Sequence, residues 1–164
     1  MKRAGRAVVP VLFAVASVAG CGAGAPPPSA PAPTAALATG TSLAGLNACG
    51  LLTPAQLIQL GQATKGQPEG TQCFYPAATP TGTQLSVWLV TGTTVTGDGP
   101  GDRTLTIGRH RAVETAQSMT SQCDINLIVG RNVVVVIGTG VDLGIGPACA
   151  VATDAARLVE AKLP

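Results

Sequence analysis

Gln122-Cys123-Asp124-Ile125-Asn126-Leu127-Ile128-Val129-Gly130-Arg131-Asn132-Val133-Val134-Val135-Val136-Ile137-Gly138 is the stretch that decides the fold. It reads as two strands, 122–129 and 132–138, joined at Gly130-Arg131, a pair suited to a two-residue hairpin with glycine first. In that register Val129 faces Asn132, Leu127 faces Val134 and Ile125 faces Val136. Cys123, Ile125, Leu127, Val134 and Val136 then share one side of a sheet. Val133, Val135 and Ile137 fill the other side, so the second strand is expected to be central and covered on both faces.

Working toward the C-terminus, residues 147–163 read as a helix with Cys149, Ala152, Ala156, Val159 and Leu163 on one apolar stripe. Working back toward the N-terminus, Thr53-Pro54 ahead of Ala55 to Leu60 and Gly61 has the pattern of a short helix: a threonine N-cap, proline in the first turn and a glycine stop. Gln72 to Tyr75 and Gln84 to Thr91 read as strands, with the turn at Pro80 to Gly82. The Gly- and Thr-rich run from Gly92 to Arg103 reads as a loop, and one further strand is expected between Thr104 and Ala116. The fold class is α+β: an antiparallel sheet packed by a C-terminal helix and a short N-terminal helix.

The start of the chain has a different character. Lys2, Arg3 and Arg6 precede an apolar run from Ala7 to Ala19, and Ser17-Val18-Ala19-Gly20 ends it just before Cys21. A basic start, an apolar stretch and small residues before the cut are what a signal peptidase reads, and a cysteine right after the cut is a lipid acceptor. The apolar run is shorter than the roughly 20 residues needed to span a hydrocarbon core. A diacylglyceryl group on Cys21 buries two acyl chains, enough for stable anchoring where one chain is marginal. Residues 1–20 are therefore expected to be a lipoprotein signal peptide, with the mature chain held at the extracytoplasmic face of the cell membrane.

Residues 21–45 form the lipidated cysteine and a linker, in which Pro26, Pro27, Pro28, Pro31 and Pro33 alternate with Ala, Ser and Thr before a Gly/Thr/Ser stretch. Proline-rich segments extend by about 3.1 Å per residue, which gives the tether a reach on the order of 60 to 70 Å. Residues 46–164 form a single domain of modest core.

With Cys21 assigned to lipid, Cys49, Cys73, Cys123 and Cys149 remain, an even set in an exported chain. Four cysteines allow three connectivities. Cys49 with Cys73 and Cys123 with Cys149 is favoured, because each pair brackets a compact stretch with its own turn and strand signals. Each loop closure is worth about 3 to 4 kcal/mol in the chain-entropy model. No CxxC spacing occurs and His110 is the sole histidine, which argues against a zinc site.

Removing Lys2, Arg3 and Arg6 from ten basic residues leaves seven against eight acidic ones, a formal mature charge of −1. The mature part has neither the basic stripe nor the aromatic interleaving of a nucleic-acid binder. Gly138-Thr139-Gly140 with Gly144 lacks the spacing, second strand and ribose-binding acid of a dinucleotide site. Asp98 and Asp102 supply too few oxygens for calcium. Every hydroxyl nucleophile would depend on His110, and no Gly-x-Ser-x-Gly elbow is present. Arg109 and Arg111 flank His110 on an expected strand, which would put both arginines on one face as a possible anion contact. No catalytic residue, metal or cofactor is assigned.

The order Cys49-Gly50-Leu51-Leu52-Thr53-Pro54-Ala55-Gln56-Leu57, Gly61, Cys73-Phe74-Tyr75, Gly108 to Ala112, Cys123, Cys149-Ala150 and a final Leu163-Pro164 resembles the cysteine-paired actinobacterial lipoproteins that include mycobacterial LprB, a family of unknown function. The resemblance covers nearly all of the mature domain, and its most specific parts are the Cys-x-Leu-Leu-Thr-Pro start and the closing helix. Tyr75 stands where such proteins often have tryptophan, and Gly92 to Arg103 is shorter than its usual counterpart. The resemblance implies an envelope lipoprotein and carries over no catalytic residue. The expected role is a noncatalytic module that binds an envelope protein or lipid. The alternative is a carrier or sensor holding an apolar ligand between sheet and helix, in space left by Ala152, Ala155 and Ala156.

Overall fold

The computed structural model describes residues 42–140 and 142–164. The expected signal peptide 1–20, Cys21 and the proline run lie outside the described residues. After a single helical turn, Ala48–Gly50, come α1 (Pro54–Gln59), β1 (Gln67–Glu69), β2 (Gln72–Tyr75), β3 (Thr83–Thr91), β4 (Asp102–Ile107), β5 (His110–Gln117), β6 (Gln122–Val129), β7 (Asn132–Gly140) and α2 (Ile145–Glu160). The strands make one antiparallel sheet in the order β1-β2-β3-β7-β6-β5-β4.

The β6–β7 hairpin has the register read from its sequence: Val129 opposite Asn132, Leu127 opposite Val134, Ile125 opposite Val136. Gly130 takes φ +63°, the left-handed value that a glycine-first turn needs. β7 is the middle strand of seven. Its second face differs from expectation, however. Val134 and Val136 are buried under α2, whereas Val135 and Ile137 on the far side are only half-buried, because no second layer of regular structure covers that side among the described residues.

The single strand expected between Thr104 and Ala116 is in fact a hairpin, β4 and β5, turning at Gly108-Arg109. Gly108 has φ +56°, and the turn repeats the Gly-Arg pair that ends β6. This breaks the alternation that would have put Arg109 and Arg111 on one face. β1 was not foreseen either: its three residues are all exposed, so they carry no alternation to read.

α1 begins with a reciprocal cap. Thr53 Oγ1 accepts from the Gln56 backbone N–H, and the Gln56 side chain accepts from the Thr53 N–H, an arrangement worth about 0.5–2 kcal/mol. Leu57 projects from it into the core, which also takes in Leu43, upstream of the expected domain start at Leu46. α2 starts at Ile145, two residues before the expected Pro147, with Gly144 as its N-cap.

α2 lies over β6 and β7, presenting Ala148, Ala152, Ala155, Ala156 and Val159 to Ile125, Leu127, Val134 and Val136, all buried. The helix face that meets the sheet is built of small residues. At Gly138 a Cβ would collide with the Ala148 carbonyl oxygen, so helix backbone rests on strand backbone there. At that point of the expected ligand space, sheet and helix are in direct backbone contact. Disulfides Cys49–Cys73 and Cys123–Cys149, with Cα–Cα distances of 5.0 and 4.9 Å, tie the first helical turn to β2 and α2 to β6. They are the pairs expected from sequence, and both lie on the helix-covered side.

Candidate functional site

The chemistry-bearing side chains gather on the sheet face that α2 leaves uncovered. Alternation places Phe74, Ser86, Trp88, Val133, Val135, Ile137, Asp124, Asn126, Ile128, Arg111 and Val113 there, opposite the buried set. The strand order dictates what crosses this face. β3 and β4 run parallel and stand four positions apart, a gap of roughly 19 Å at about 4.8 Å per strand. Parallel strands cannot be joined by a tight turn, so residues 92–101 must cross over β7, β6 and β5.

This crossing segment behaves as a strap. Gly97 lies against Val113 and Thr104, where a Cβ would come within 2.9 Å of Val113 Cγ2. The Arg111 guanidinium donates to the Thr96 carbonyl. At the strap's first end, the Gly92 N–H donates to Asn132 Oδ1 at 3.3 Å; near its last, Gly99 N–H donates to Asp102 Oδ2 at 3.0 Å. Val113 and Val133 are buried on this face. Between strap and sheet lies a cleft of about 480 Å³, lined by Thr94, Val95, Thr96, Asp98, Arg111 and Ile128.

The two arginines singled out from sequence therefore do different things. Arg109, on the turn, reaches the other side of the sheet, where its guanidinium donates to the Leu163 carbonyl. Its backbone N–H donates to Glu160 Oε1 at 3.0 Å, and His110 Nδ1 lies 2.9 Å from the same oxygen. These contacts, the backbone N–H foremost, hold the Glu160 carboxyl below the usual carboxylate range. Gly108 is required here, since a Cβ would occupy the space of the Glu160 carboxylate. The cluster clamps the end of α2 to the β4–β5 turn. Arg111 alone faces the cleft, and among the described residues it has no carboxylate within ion-pair distance.

Away from the strap, the uncovered face carries Trp88, 42% exposed. Its indole N–H donates to Thr71 Oγ1 at 2.9 Å, which fixes the orientation of the ring. Asp124 lies on the same face beside Ile137. Burial pushes its pKa up, opposed by the amides of Gln122 and Gln117. Among the described residues no three His, Cys, Asp or Glu side chains are grouped to hold a metal ion. No helix among them is long and apolar enough to cross a membrane.

The model of a family described as protein of unknown function, DUF3558, matches residues 16–162. The chain belongs to this family. The DUF3558 span takes in Cys21, both disulfides, the strap and α2, so the cleft and the helix clamp are both features of the family's domain as this chain builds it. No curated protein and no solved structure matches the chain.

Proposed function

We propose that this DUF3558 chain is a cell-envelope lipoprotein of the actinobacterial cysteine-paired kind, anchored through lipid on Cys21, and that it acts as a noncatalytic binding module. The observation that carries the binding half is the sheet face left free by α2, with a rigidly held and exposed Trp88 beside the half-buried Phe74, Val135 and Ile137. An exposed tryptophan whose polar end is already satisfied offers a platform for a partner. The noncatalytic half is supported by His110, which is committed to Glu160 and hydrogen-bonds to no hydroxyl among the described residues. The anchoring half rests on the basic and apolar run that ends at Cys21.

Two measurements test the reading. Cells fed an alkyne-tagged fatty acid should label the wild-type chain and not Cys21→Ala; equal labelling of the two, or none of either, overturns the anchor. Oxidative footprinting should show Trp88 protected in intact cells relative to the purified chain, with the fully exposed Met119 as internal reference. Equal reactivity of Trp88 in both settings overturns the binding role of this face.

A further inference from the structure

The cleft beneath the strap has a composition that its one strap contact does not use up. Arg111 gives one N–H to the Thr96 carbonyl and keeps the rest of its five donors. It stands in a cleft that the hydroxyl-bearing Thr94 and Thr96 also line, while Val95 and Ile128 supply apolar wall. Asp98 lines the same space and makes no ion pair among the described residues. A guanidinium pairs bidentately with phosphate oxygens, and nearby hydroxyls can serve the further oxygens that a phosphate has and a carboxylate lacks. Asp98 opposes a bare anion by like charge, and this penalty reverses when the ligand carries a positive or hydrogen-bond-donating group at that end.

We infer that this cleft binds a small phosphate ester bearing an ammonium group, the chemistry of phosphoethanolamine, with phosphate at Arg111 and ammonium at Asp98. The inference deepens the binding reading above and rests on it, but it does not depend on the lipid anchor. Such a ligand exists free and as a phospholipid head group, and the site chemistry is the same for both.

The test uses the full chain in a phosphate-free detergent, titrated with O-phosphoethanolamine and, separately, with inorganic phosphate, followed by calorimetry and phosphorus NMR line width. Saturable binding of phosphoethanolamine is expected, with inorganic phosphate weaker by about fivefold or more. Arg111→Gln should weaken phosphoethanolamine binding by about tenfold or more. Asp98→Asn, which removes no hydrogen bond or ion pair of Arg111 among the described residues, should remove the preference over inorganic phosphate, and Arg109→Gln should leave binding unchanged. Thermal unfolding of each variant separates lost binding from lost fold. Flotation with phosphatidylethanolamine vesicles, against phosphatidylcholine vesicles, then distinguishes the sources: binding to the former assigns the membrane head group, and binding of the free ester alone assigns a soluble ligand. Absence of saturable binding, or binding unaffected by both Arg111→Gln and Asp98→Asn, overturns the inference. If it fails while Trp88 is protected in cells, the binding module stands and only this ligand falls.

Discussion

His110 and Glu160, separated by 50 residues, meet with Nδ1 2.9 Å from Oε1, and the Arg109 N–H donates to the same oxygen. Through this one carboxylate, the last turn of α2 is tied to a hairpin turn at the far side of the sheet from β1.

The carboxyl is held below its ordinary range, so it stabilises the fold above the unfolded value of about 4.3. That contribution is lost as pH falls through the lower folded value. Glu160→Gln is expected to lower Tm by several degrees at neutral pH, with the gap to wild type closing in acid. Thermal unfolding across a pH series checks this; a gap that persists at the lowest pH would show that the carboxylate charge is not what matters.

Gly138 and Gly146 make a matched pair for testing how closely α2 sits on the sheet. Gly138→Ala forces a Cβ into the Ala148 carbonyl and should cost about 1–3 kcal/mol in denaturant unfolding. Gly146→Ala points into open space within the helix and should be neutral or stabilise by about 0.4–1 kcal/mol.

Replacing Cys123 and Cys149 together by alanine should cost about 2–5 kcal/mol. α2 meets the sheet mainly through alanines, whose buried area is small, so the covalent link to β6 bears much of its docking. Hydrogen exchange is the informative readout. Amides of α2 should lose protection before those of β3 and β7, and uniform loss across the domain would contradict this division of labour.

Tyr75 is fully buried, and its phenol donates to the Ala48 carbonyl at 3.2 Å. Burial pushes its pKa from 10.0 up to about 12. The folded state therefore favours the neutral phenol; the stability it adds is present below the unfolded value and lost as pH rises through the folded one. Wild type should lose roughly 2 to 3 kcal/mol across that alkaline window. Tyr75→Phe should cost about 1 kcal/mol at neutral pH and show a flatter alkaline limb, which equilibrium unfolding at stepped pH would reveal.

Sequence was most readable where one face is buried and the other is not. β6 alternates Cys123, Ile125, Leu127 and Val129 against polar neighbours, and its hairpin with β7 follows from that pattern and from Gly130. The Gly108-Arg109 turn has the same residue pair but no such flanking pattern. Its flanks, Thr104 to Ile107 on the edge strand and His110 to Ala116 on the strand beside it, carry polar residues on both faces, and no period of two stands out. The Cys-x-Leu-Leu-Thr-Pro segment was legible because a cap is a local device. The covering of the second face is not legible, since an apolar Val133, Val135 and Ile137 row says that something apolar lies nearby, not that a layer does.

The cleft was not legible at all. Thr94 to Asp98, Arg111 and Ile128 come from three segments whose proximity follows only from strand order, and that order hinges on β3 pairing with β7 rather than with β4. Arg111 was noticed for its charge, but the face it occupies depended on the unseen turn at Gly108. Nothing in the sequence marks Trp88 as exposed, because exposure is a property of what the rest of the chain declines to cover.

The position of β7 also bears on how the protein is made. β1–β3 form one run of neighbouring strands and β4–β6 another, and no hydrogen-bonded ladder links the two until β7 inserts between β3 and β6. Since a polypeptide is synthesised from its N-terminus, six of the seven strands emerge as two separate pieces, and the seam closes only with the strand and helix that come last. Pairing across so wide a sequence gap is intrinsically slow. The waiting edges of β3 and β6 are therefore where premature pairing between nascent copies is expected, and where a chaperone would find its purchase.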